Sequence, residues 1–322
     1  MKPMMKKFTH LIFTLATWIA FAGTAFGQSN STSYQTLEVN GIEIFYREAG
    51  PKDAPTLLLL HGYPTSSYMY RDLISELADE FHLIAPDYPA FGRSEQPSPE
   101  VFDYTFDNLA SLMEEFVELK GLTSYGLYIM DYGAPIGFRL ATKHPERIES
   151  LIIQNGNAYL EGLEDFWNPI RGYWEDGETN AGALAAFTGL EGTRWQYIDG
   201  VQDSTLITPD TWEMDLRHLT RPGNTEIQLA LFYDYQNNLK LYPEWQAYLR
   251  EYQPRTLIIW GENDYIFPAS GALAYRQDLK EVEIHLYDTG HFALETHAEE
   301  MAGEIRSFYY KTNYLSDRLG RK

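Results

Sequence analysis

The sequence predicts an α/β fold: an eight-stranded, mostly parallel sheet with helices on both faces and a helical lid inserted after the sixth strand. Three observations predict it. From residue 56 to 154, short apolar runs alternate with helix-period patterns. Two strand-like segments precede them, joined by Asn40-Gly41, a strong hairpin signal. The alternation stops between Asn155 and about Gln253 and then resumes.

Taken in order, the first ~27 residues read as an export signal. Lys2, Lys6 and Lys7 give a positive start, 8–22 is an apolar run, and Ala25-Phe26-Gly27 fits a small-x-small cleavage site. The alternative is an uncleaved anchor, but the run is short for a ~20-residue span. Cleavage leaves a periplasmic or secreted chain starting at Gln28, with no membrane association. Strands are expected at 36–39, 42–47, 56–60, 82–85, 126–130, 151–154, 257–260 and 283–287, and helices at 70–79, 106–120 and 135–144. The expected organisation is a signal at 1–27, a core at 34–155 and 254–312, and a cap at 156–253. The cap is rich in Trp, Tyr, Gly and Asp and carries no buried-strand pattern.

A formal charge of −21 with no basic patch argues against nucleic acid or an anionic membrane as partner. The absence of cysteine excludes disulfides, thiolate catalysis and cysteine-ligated metals, and suits an oxidising compartment.

The chemistry centres on Asp131. An apolar strand pattern ends there, and Gly133 and Gly137 open a helical one. This strand–elbow–helix layout lifts one side chain out of the top of a parallel sheet. A carboxylate there attacks a saturated electrophilic carbon and leaves an alkyl ester for water to cleave, which points to epoxides and haloalkanes. His61-Gly62-Tyr63-Pro64 follows the third strand, and the Tyr63 and Tyr132 N–H groups are expected to form an oxyanion hole. His291, after the last strand, is the expected general base, with Asp264, past the seventh strand, holding its ring. Glu262 and Glu161 compete for that acid role. His82, His144, His218, His285 and His297 are read as structural.

These residues resemble the epoxide hydrolase and haloalkane dehalogenase branch of the α/β-hydrolase superfamily, from about 37 to 309. The stretch 61–71 and Asp87-Tyr88-Pro89-Ala90-Phe91-Gly92-Arg93-Ser94 carry the likeness, with Ala90 where glycine is common. Dehalogenases of this branch hold the halide with N–H donors, typically a tryptophan after the nucleophile and an asparagine in the His-Gly-x-Pro turn. Tyr132 and Tyr63 stand at those places, leaving Trp167 or Trp174 of the lid as substitutes. Epoxide hydrolases use two lid tyrosines as ring-opening acids, protonated at neutral pH because a phenol pKa is ~10. The contexts of Tyr173 and Tyr235 resemble theirs, with Gln236 replacing an arginine and Tyr233 competing with Tyr235. Met130 and Ile129 depart from the branch, which usually has histidine and a small residue there. Asn155 stands where some relatives carry their acid, which shifts that role to Asp264. His61, Asn155 and Trp174 are expected to line the substrate. An arginine after the nucleophile marks haloacetate dehalogenases, and Tyr132 disfavours that reaction although Arg139 is near in sequence.

The resemblance implies an enzyme opening an apolar or aromatic epoxide to a diol, with water as co-substrate and no metal or cofactor. Dehalogenation by the same two steps is the alternative. A non-catalytic ligand-binding member of the fold is the alternative of another class. The expected partners are a small apolar molecule and water, and a homo-oligomer is compatible with this reading.

Overall fold

In a computed structural model the chain is described over residues 31–311, so the expected signal at 1–27 lies outside the described residues. β1 (Ser33–Val39) and β2 (Ile42–Ala49) pair antiparallel around Asn40 and Gly41, both at positive φ (51° and 81°). That backbone is what a two-residue hairpin needs. β3 (Thr56–Leu60), α1 (Arg71–Leu77), β4 (His82–Pro86), α2 (Phe106–Leu119), β5 (Tyr125–Met130), α3 (Gly133–Lys143) and β6 (Ile148–Gln154) follow. The order across the sheet is β1-β2-β4-β3-β5-β6, then β7 (Thr256–Gly261) and β8 (Val282–Tyr287). Only the β1–β2 and β2–β4 pairs are antiparallel.

Continuous apolar strands such as Thr56-Leu57-Leu58-Leu59-Leu60 suit a sheet buried on both faces. Alternate residues divide between two cores, as the two-residue period of a strand requires. Leu58, Leu60, Leu127, Ile129 and Ile153 face α2 and α3. Leu57, Leu59, Tyr128, Met130 and Ile152 face α1 and the last helix. On α2, Phe106, Leu109, Ala110, Met113, Phe116 and Val117 are buried, a helical stripe that seats it on the sheet.

Between β6 and β7 lie α4 (Asn168–Asp176), α5 (Ala181–Phe187), α6 (Leu190–Ile198), α7 (Asp210–Leu219) and α8 (Asn224–Tyr252). α9 (Ala269–Ala274) and α10 (Leu294–Lys311) complete the fold. The insert is tied to the core by polar contacts. Asn224 Nδ2 donates to the Ala90 carbonyl at 2.8 Å, and Asp234 accepts the Phe106 N–H at 2.8 Å. Among the described residues no helix is long and apolar enough to cross a membrane.

Candidate active site

Asp131 directly follows β5 with φ at 49°, in the left-handed region that non-glycine residues avoid. Its N–H donates to the Asn155 carbonyl at 3.2 Å, and its own carbonyl accepts the Ala134 N–H at 2.9 Å, so the corner is pinned on both sides. A Cβ on Gly133 would lie 2.0 Å from the Leu60 carbonyl oxygen, and one on Gly62 would lie 2.5 Å from the Asp131 Cβ. Glycine at both places lets the strand-end turn and α3 close around the carboxylate.

That closeness has a chemical result. The Tyr63 N–H donates to Asp131 Oδ1 at 2.6 Å, and the Tyr132 N–H also donates to the carboxylate. Burial pushes the Asp131 pKa up to about 6, against the downward pull of His291 and the two N–H groups. Asp131 Oδ2 lies 4.0 Å from His291 Nε2, and that nitrogen is buried without a hydrogen-bond partner among the described residues. On the other side of the ring, His291 Nδ1 meets Asp264 Oδ2 at 2.8 Å. Burial pulls the His291 pKa down, but Asp264 and Asp131 outweigh it and hold it above the ordinary value.

Asp264 is fixed in turn. Its Oδ1 accepts the Ile266 N–H at 2.7 Å, and its Oδ2 also accepts from Asn155 Nδ2 at 2.8 Å. The loops after β7 and β8 are zipped by Glu262 N–H to Tyr287 O at 2.9 Å and Asn263 N–H to Thr289 O at 3.0 Å. The competing acids lie elsewhere: Glu262 is exposed, and Glu161 accepts from Gln277 Nε2. The fold thus brings together Asp131, His291, Asp264 and the Tyr63 and Tyr132 N–H groups.

A cavity of about 300 Å³ opens onto Asp131 between core and insert. Tyr63 and Tyr132 line it from the core, and Phe166, Trp167, Phe187, Phe232 and Tyr235 from the insert. His291 does not line it. Phe166, Phe187 and Phe232 were not singled out from sequence; the aromatic density of the insert was the only signal for them.

Several residues expected at the cavity stand elsewhere. Tyr173 is buried edge-on to Tyr233, with ring centroids 5.7 Å apart, and does not line the cavity. Tyr235 lines it with its ring, but its hydroxyl is turned toward Tyr242, two turns further along the same face of α8. Trp174 stacks behind Tyr235 at 6.5 Å and gives its indole N–H to the Phe232 carbonyl. Trp167 does line the cavity, yet its N–H goes to the Ile266 carbonyl at 2.8 Å. Arg139 is occupied by Asp107 and Asn238.

His61 and Asn155, expected to line the substrate, are also absent from the cavity wall. His61 is fully buried, stacked on Tyr88 at 4.1 Å, with Nδ1 toward the Gly62 carbonyl and Nε2 accepting the Tyr88 N–H. Burial lowers its pKa to about 4, so it is neutral and supports the Tyr63 turn from beneath. Asn155 does not touch the cavity. It links the Asp131 backbone to the Asp264 carboxylate and accepts the Gly261 N–H at 3.0 Å.

A model of the alpha/beta hydrolase fold family matches residues 55–298. An uncharacterized hydrolase of Saccharomyces cerevisiae, YNR064C, is 45% identical over 275 residues, covering 84% of this chain and 94% of its own. A haloalkane dehalogenase of Mycolicibacterium paratuberculosis is 37% identical over 116 residues, 36% of this chain and 38% of its own. The solved structure of the epoxide hydrolase CorEH superposes with a TM-score of 0.70 at 20% identity, over 88% of this chain and 100% of that one, a likeness of fold alone. The family match, the full-length similarity to a yeast hydrolase and the observed strand order together mean that the chain belongs to the α/β hydrolase fold family.

Proposed function

We propose that this hydrolase of the α/β fold opens a compact apolar or aromatic epoxide to a diol through an ester on Asp131. One observation carries the reading. Asp131 lies at the floor of an aromatic cavity with Oδ1 held by the Tyr63 N–H, while its Oδ2 is 4.0 Å from a buried His291 Nε2 that has no hydrogen-bond partner among the described residues. Oδ2 attacks the ring carbon and the carbon–oxygen bond breaks. Alkylation removes the Asp131 charge, and with it part of what holds the His291 pKa up, so the ring gives up to solvent any proton it carries. The neutral imidazole then takes a proton from water, whose oxygen adds to the ester carbonyl. The Tyr63 and Tyr132 N–H groups stabilise the resulting oxyanion. Asp264 steadies the imidazolium, which returns its proton to the departing diol oxygen.

Solvent oxygen therefore enters the Asp131 side chain. A single turnover in ¹⁸O-water labels the peptide carrying Asp131, and His291→Gln accumulates an alkyl adduct on it. A labelled diol with an unlabelled Asp131 would remove the ester from the mechanism. Haloalkane dehalogenation is the second reading, favoured by the 37% identity to a dehalogenase over 116 residues. Against it, the indole N–H groups of Trp167 and Trp174 are both spent on carbonyls. Diol release against bromide release separates the two. Export through the 1–27 segment belongs to the same proposal, as does a small uncharged molecule as partner; a cytoplasmic chain retaining residues 1–27 would argue against export.

A further inference from the structure

Of the residues lining the cavity, Tyr63 and Tyr132 have buried hydroxyls with no hydrogen-bond partner among the described residues. A buried, unsatisfied hydroxyl is costly, and a functional site is where such a cost persists. Their rings stand 5.7 Å apart, and each residue also presents its backbone N–H to Asp131. The other cavity phenol that sequence pointed to, Tyr235, has its hydroxyl turned toward Tyr242 rather than toward the N–H groups that hold Asp131. We infer that Tyr63 and Tyr132, not the lid tyrosines, are the acids that receive the leaving oxygen when Asp131 opens the ring.

The inference rests on the epoxide reading and balances with it. The Asp131 Oδ2–carbon bond forms, the ring carbon–oxygen bond breaks, and the freed electron pair takes a proton from one phenol while the other donates a hydrogen bond. Hydrolysis of the ester regenerates a carboxylic acid, and the phenolate recovers its proton from it. The electrostatics run in step. Burial first, and the Asp131 charge second, hold both phenols protonated in the free enzyme. Alkylation neutralises Asp131 just as the alkoxide appears, so the phenols become better acids when the proton is needed.

The test follows adduct formation on Asp131 in the His291→Gln background with styrene oxide and aliphatic epoxides, by intact mass under single-turnover conditions. Adding Tyr63→Phe or Tyr132→Phe should slow the adduct roughly 10-fold each, and the pair ~100-fold or more. Phenylalanine keeps the ring, so the melting temperature should hold or rise; if the double variant melts lower, the single variants decide. An adduct forming at the parent rate in folded double and single variants overturns the phenol assignment and leaves the epoxide reading intact. No adduct from any epoxide with both tyrosines present sinks the epoxide reading, and this inference with it.

Discussion

At Asp131 the fold holds a carboxylate in a place where charge is costly. Its pKa of about 6 in the fold lies above the 3.8 of an unstrained aspartate. The sign follows from proton counting: between those values the native state binds a proton that the unfolded chain has lost, so stability falls as pH rises from about 4 to about 6. Above pH 6 the cost is fully present, on the order of 3 kcal/mol for a shift of this size. Asp131→Asn should therefore melt several degrees higher than the parent at pH 8, with the gain shrinking below pH 5. A gain independent of pH would show that burial of the charge is not its source. In the proposed mechanism the same ionisation sets the first chemical step, so alkylation by the parent should fall as pH drops through about 6. The position of Asp131 was legible because an apolar strand, one polar residue and two glycines make a recognisable corner. The places of His61 and Asn155 were not, since their partners are a backbone N–H 27 residues away and a carboxylate 109 residues away.

Elements tell a similar story at longer range. The expected strands lie within a few residues of the observed ones, because continuous apolar runs bounded by polar turns leave little freedom. Helix α2 starts where Thr105, an N-cap, accepts the Asn108 N–H at 3.2 Å and Asp234 takes the Phe106 N–H. Thr105→Ala should cost about 1 kcal/mol, read by urea unfolding. An unchanged midpoint would mean that water or Asp234 caps the helix alone. The insert was harder to read. Its helices are aromatic on more than one side, so periodicity does not say which ring meets the cavity and which packs behind it. Tyr173 and Tyr235 illustrate the difficulty: the context of each fits a ring-opening acid, but helix rotation turns one toward Tyr233 and the other's hydroxyl toward Tyr242.

For the molecule as a whole, the cavity divides labour between two parts of the chain. Asp131, His291 and Asp264, and the N–H groups of Tyr63 and Tyr132, come from strand-end loops of the sheet. Phe166, Trp167, Phe187 and Phe232 come from the insert. On the proposed epoxide reading, Phe187→Ala should admit bulkier epoxides, lowering KM for them relative to styrene oxide, while ester hydrolysis proceeds at the parent rate. A fall in the hydrolytic step would show that the insert also places the attacking water. Because most of the cavity's aromatic wall comes from one stretch of chain, a new diet for this enzyme begins with recombination of residues 156–253, against the part of the wall that Tyr63 and Tyr132 keep in place.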